Sequence, residues 1–173
     1  MTDSRDSTQQ GLFSLAQIQH LMRVEFNRAQ RYDYPIVCMM IAIDRLGHLR
    51  DIYGYESKEE IVDAVVGLLK SSTRGSDFLG RMADDRLLAV VPHTPAEGAA
   101  RLAERLLQGT RAMDFQSDGR TLQVSLSIGA SHNAGGSTLF FDAMLLAAEE
   151  ALAASVEAGG DRYELLAPGS SAV

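Results

Sequence analysis

A layered α/β (α+β) fold around one mixed central sheet is what the 173-residue sequence predicts, and three observations carry that expectation. Pro35-Ile-Val-Cys-Met-Met-Ile-Ala-Ile43 is an almost unbroken apolar run of strand-forming residues, as a central strand buried on both faces requires. Segments with apolar residues three and four apart alternate with shorter strand-like runs. Two short apolar runs flanking Met82-Ala-Asp-Asp-Arg86 read as a β-hairpin. Helices interleaved with strands, plus a hairpin, fit a layer fold with one mixed sheet.

In chain order, residues 1–10 are polar and expected to be loose. From Leu12 onward Leu15, Ile18, Leu21, Met22, Phe26 and Ala29 fall at helical spacing, and Pro35 closes that segment ahead of the central strand. Asp44 to Tyr55 is mixed and carries Gly47 and Gly54. Ser57 to Lys70 is predicted helical, with Ile61, Val65, Leu68 and Leu69 on one face and capping-box spacing between Ser57 and Glu60. Phe78–Arg81 and Leu87–Val91 form the hairpin strands. Pro92 to Pro95 ends them, and Thr94 is placed to cap a helix from Pro95 to Met113. Thr121 to Ile128 alternates with period two, as a strand with one polar face does. Asn133 to Thr138 reads as a loop, Phe140 to Ala158 as an alanine-rich helix stopped by Gly159-Gly160, and Arg162 to Leu166 as a final edge strand. One domain over 11–166 is expected, followed by a loose tail over 167–173.

Composition narrows the function classes. A net charge of −7 argues against a broad electrostatic grip on nucleic acid or anionic membrane. No run approaches the roughly 18 apolar residues of a membrane span. Cys38 is the only cysteine and lies in an apolar run, so a reducing compartment fits, and a cytoplasmic domain is expected. His20, His48, His93 and His132 are scattered without metal-ligand spacing, so no zinc site is expected. Only Lys58 and Lys70 among the 16 basic residues are lysines, and arginine forks suit bidentate recognition of phosphate and guanine edges.

Four stretches carry a resemblance to a known family: Glu25-x-x-Arg28 through Pro35, Ile43-Asp44 through Tyr53-Gly54, Arg74 through Pro92, and Val124-Ser-Leu-Ser-Ile-Gly129. Together they resemble the GGDEF (diguanylate cyclase) domain from about Gly11 to Leu165. That resemblance implies a sheet of about five strands flanked by helices, as in nucleotidyl cyclases. Active members join two GTP into cyclic di-GMP.

Carried over residue by residue, the family's active site is altered here. Its first metal-ligating Asp falls on Ala42 and its second metal carboxylate on Asp85. Its phosphate-facing Lys corresponds to Gly47, its guanine-reading pair to Arg50 and Glu59, and its late phosphate-gripping pair to Val156 and Gly160. At the signature turn Ala83 and Asp84 stand for two glycines, and Arg86 stands for a Glu and is expected to form a local ion pair with Asp84 and Asp85 beside it. A pair of Mg²⁺ ions needs several hard oxygen ligands, so the expectation is no catalytic residue, no metal, no cofactor and no enzyme.

The family's product site, in contrast, matches. Arg74-Gly-Ser-Asp77 precedes the altered turn by five residues, Phe78 to Met82, as in the family, and Arg105 falls where the family often adds a second Arg. An Arg fork can donate to guanine O6 and N7, and a carboxylate can accept from guanine N1 and N2. The Arg-x-x-Asp pattern itself is cheap, recurring at Arg81–Asp84 and Arg111–Asp114, so spacing gives it meaning. The expected function is a cyclic di-GMP receptor acting through Arg74, Asp77 and Arg105 on a protein partner, with homodimerisation left open. The alternative is a nucleotide-free interaction or dimerisation module.

Overall fold

The computed structural model describes residues 12–117, 119–133 and 140–168. The expected loose segment at 1–10, most of the loop at 133–138 and the end of the tail lie outside the described residues.

Ser14 caps the first helix, α1 (Leu15–Tyr32), through a capping box with Gln17. Leu12 and Phe13, which helical spacing had drawn towards that helix, instead form a two-residue strand, β1, parallel to Leu79–Gly80. The central run becomes β2 (Ile36–Ile43). The mixed segment after it is a short helix, α2 (Leu46–Tyr53), entered through Arg45 in the left-handed region at φ 54°.

Gly54, at φ 95°, starts α3 (Tyr55–Ser72). The capping box expected at Ser57 is absent, since its hydroxyl donates back to the Tyr53 carbonyl. The hairpin is β3 (Phe78–Arg81) and β4 (Leu87–Pro92), followed by α4 (Ala96–Arg111). Thr94 does not cap α4; its hydroxyl bonds the Pro92 carbonyl at 3.2 Å. A small separate hairpin, β5 (Phe115–Ser117) and β6 (Arg120–Leu122), takes the start of the alternating segment. The rest of that segment extends into β7 (Leu126–His132), before α5 (Phe141–Glu157) and β8 (Arg162–Leu165).

The main sheet has six strands in the order β1-β3-β4-β2-β7-β8, with parallel pairs at both edges and antiparallel pairs between. β2 splits its side chains by the period-two rule. Val37, Met39, Ile41 and Ile43 face a core under α3 and α4, while Ile36, Cys38 and Met40 face a second core under α1 and α5. Burial on both faces is why its sequence shows no alternation. Gly129 in β7 lets α5 come close: a Cβ there would lie 2.0 Å from the Leu152 amide nitrogen and 2.5 Å from the Ala148 carbonyl oxygen.

Candidate functional site

Arg74 and Asp77 lie on the loop joining α3 to β3. Thr73 ends the helix by donating its hydroxyl to the Leu69 carbonyl at 2.8 Å. The Arg74 amide then donates to Asp77 Oδ2 at 2.8 Å, and the Asp77 amide returns to the Arg74 carbonyl at 3.1 Å, so one carboxylate oxygen holds the loop in shape. The other oxygen, Oδ1, is buried and has no donor among the described residues. Burial pushes the Asp77 carboxyl above the ordinary carboxylate range, against the opposing pull of the Arg74 amide and guanidinium.

Across from the loop, Arg105 projects from α4 and donates to the Ser72 carbonyl at 3.2 Å. These three residues, expected together from spacing, line one cavity of about 360 Å³. Arg101, one turn before Arg105 on α4, lines it too and was missed by sequence reasoning. Its four-residue offset from Arg105 was the available signal. Three arginines and one carboxylate lining the same cavity suit an anionic ligand that also presents hydrogen-bond donors.

At the far end of β3 lies the signature turn. Met82 and Arg86 close it with a 2.8 Å amide–carbonyl bond, and Asp85, at φ 67°, is its left-handed residue. Ala83 and Asp84 keep negative φ, so the turn forms without glycine at those two positions. Arg86 Nε meets Asp84 Oδ2 at 2.7 Å, the local ion pair expected from the sequence.

Asp85 is held by residues that sequence reasoning did not connect to it. Lys58 Nζ approaches Asp85 Oδ2 at 2.6 Å and Glu59 Oε1 at 3.0 Å. Arg81 donates to Asp85 Oδ1 at 2.7 Å and reaches Glu59 Oε1 at 3.4 Å. Burial alone would raise both carboxyls, but Lys58 and Arg81 hold them below their ordinary values. Glu59, to which the resemblance assigns a guanine-reading role, is thereby engaged by Lys58 and Arg81.

The resemblance implies Mg²⁺ near Ala42 and Asp85, and the residues present do not fit it. Ala42 offers no side-chain ligand. Neighbouring Asp44 accepts from the Ser125 and Ser127 hydroxyls at 2.6 and 2.5 Å and from the Asp161 amide at 2.9 Å. A Cβ at Gly160 would fall 2.7 Å from Asp44 Oδ2, so this closure depends on glycine. Among the described residues no group of three or more His, Cys, Asp or Glu could hold a metal ion.

The mixed six-stranded sheet with its flanking helices, a cavity at one end of β3 and the signature turn at the other, is the arrangement of a nucleotidyl-cyclase-like domain. Residues 9–162 match the family described as diguanylate cyclase, GGDEF domain, and the chain belongs to that family. It is 25% identical over 155 residues to diguanylate cyclase DgcP of Pseudomonas aeruginosa, covering 90% of this chain and 23% of that protein. It is 27% identical over 126 residues to the probable diguanylate cyclase DgcC of Escherichia coli, covering 70% of this chain and 34% of that protein. The chain thus spans about a quarter to a third of the curated relatives it matches.

Among solved structures, the active GGEEF domain of a Vibrio cholerae diguanylate cyclase superposes with a TM-score of 0.81 at 24% identity, covering 90% of this chain and 97% of that one. The GGDEF domain of DgcB from Caulobacter crescentus, in complex with c-di-GMP, gives 0.82 at 15% identity over 89% of this chain and 91% of that one. Diguanylate cyclase SiaD of Pseudomonas aeruginosa, in complex with its activator SiaC, gives 0.80 at 23% identity over 89% of this chain and 58% of that one.

One expectation is corrected by these relatives. The substitutions at Ala42, Ala83, Asp84, Asp85 and Arg86 had led to the expectation of no enzyme, whereas the family and relatives 25–28% identical are named for diguanylate cyclase activity. The strands and helices from β2 to the signature hairpin are all present.

Proposed function

We propose that this GGDEF domain binds cyclic di-GMP between the α3–β3 loop and α4, through Arg74, Asp77 and Arg105, and signals its bound state to a protein partner. The observation that carries this reading is the buried, undonated Oδ1 of Asp77, a residue that lines a cavity together with Arg74, Arg101 and Arg105. An orphaned buried acceptor is costly until a ligand donor meets it, and guanine N1–H and N2–H are such donors. The guanidinium groups supply the complementary half, forks for O6 and N7 and charge for the phosphodiesters. No helix among the described residues is long and apolar enough to cross a membrane, and we place the domain in the cytoplasm, where the buried Cys38 thiol stays reduced. The reading requires no metal or cofactor beyond the ligand. The nucleotide-free alternative leaves the Asp77 oxygen unexplained.

Titration calorimetry with cyclic di-GMP tests it. Arg74→Ala is expected to weaken binding about five- to a hundred-fold, since a good bidentate pair contributes about 1–3 kcal/mol. Arg105→Ala should cost less, because its guanidinium is shared with the Ser72 carbonyl. Arg111→Ala should change nothing, since Arg111 belongs to the decoy motif and pairs with Asp161 at 2.9 Å. An unaltered chain that takes up no ligand would hand the case to the interaction module, and binding that survives loss of both Arg74 and Asp77 would move the site elsewhere.

A further inference from the structure

The cluster behind the signature turn holds two cations and two carboxylates in alternation, and both oxygens of Asp85 are taken. The Lys58 side chain is 11% exposed, Arg81 16% and Asp85 17%, so the pairs to Asp85 are largely shielded from water, while Glu59 at 27% is more open. The third face of the Lys58 ammonium lies 5.0 Å from the centre of the Tyr55 ring. Three partners for three N–H bonds leave that ammonium fully engaged.

We infer that Lys58 is a tethered cation of this domain: it occupies the place between Glu59 and Asp85 that a divalent ion would need and closes that carboxylate pair to metal. The chemistry of the alternatives supports this. A Mg²⁺ or Mn²⁺ ion at a protein site takes one or two carboxylates and completes its shell with water. Asp85 can join such a shell only by giving up Lys58 or Arg81. Adding two positive charges beside two partly buried cations is unfavourable, since the four side chains already balance. The lysine comes from the first turn of α3 and Asp85 from the hairpin, so the cation also latches helix to hairpin. This departs from the metal-binding pattern that the family resemblance implies, and it is independent of the cyclic di-GMP pocket.

Mn²⁺ binding followed by electron paramagnetic resonance tests the inference without reference to turnover. The unaltered chain should leave the free Mn²⁺ signal unchanged at concentrations where Lys58→Ala and Lys58→Met bind one ion per chain, a gain of about tenfold or more in affinity. Asp85→Asn added to either variant should abolish that binding, and circular dichroism checks that each variant is folded. Mn²⁺ uptake by the unaltered chain that Asp85→Asn removes would overturn the inference. So would folded Lys58 variants that bind no more tightly than the parent. Should neither Lys58 variant fold, the comparison of the unaltered chain with Asp85→Asn still decides it.

Discussion

Asp77 shows how one oxygen can serve structure while its twin serves recognition. Oδ2 is committed to the Arg74 amide and fixes the loop, whereas Oδ1 is buried and has no donor among the described residues. Burial raises the Asp77 pKa, so the carboxylate takes up a proton sooner than an exposed one as pH falls. A protonated Asp77 loses the acceptor that guanine donors need. Cyclic di-GMP affinity is therefore expected to fall as pH drops from neutrality towards the carboxylate range, and Asp77→Asn should flatten that dependence. Calorimetry across pH checks it, and a flat profile for the unaltered chain would remove Asp77 from the guanine contact. The sign for folding runs the other way at this residue. Its desolvation penalty is full above the raised folded value and absent below the unfolded one. Asp85 and Glu59, with lowered values, add stability above their unfolded values and lose it as pH falls through their folded ones.

Between elements, the tightest joint is β7 against α5. The Gly129→Ala methyl group would meet helix backbone rather than movable side-chain ends. We expect a loss of roughly 3 kcal/mol or more, lowering Tm by about 6–12 °C, read by thermal denaturation; a melt within a degree or two of the parent would contradict the packing. That joint also shows what a sequence displays and what it conceals. β2 was legible because burial on both faces writes an apolar run, and α1, α3, α4 and α5 because one-sided burial writes a stripe. β1 was not, since two residues carry no period and Leu12 extends a helical pattern by chance. Arg74, Asp77 and Arg105 were legible through spacing within a family pattern. Lys58 was not, because Asp85 lies far away in sequence and a charged residue on a helix ordinarily faces water. Arg81 was not, because its four-residue offset from Asp85 crosses the hairpin turn rather than a helix. The left-handed residue of the signature turn is Asp85, its carboxylate tied to Lys58 and Arg81.

For the molecule as a whole, the two cores share the strands of one sheet and should not melt separately. Leu69, in the core under α3 and α4, and Met144, in the core under α1 and α5, are both fully buried. Truncating either to alanine should cost about 2–5 kcal/mol while leaving a single calorimetric transition. Two resolved transitions in either variant would mean the layers are independent units.

The strand order has a consequence for how the chain is made. β2, completed by residue 43, is the most apolar strand and sits at the centre of the sheet, yet its neighbours β4 and β7 begin only at residues 87 and 126. During synthesis its two hydrogen-bonding edges therefore wait, unpaired, and when it emerges α1 alone is available to cover one of its apolar faces. Pairing across such long separations is slow, and an open apolar strand invites other chains. The domain's most vulnerable moment is its own translation, when chaperones and low temperature decide the yield of folded protein.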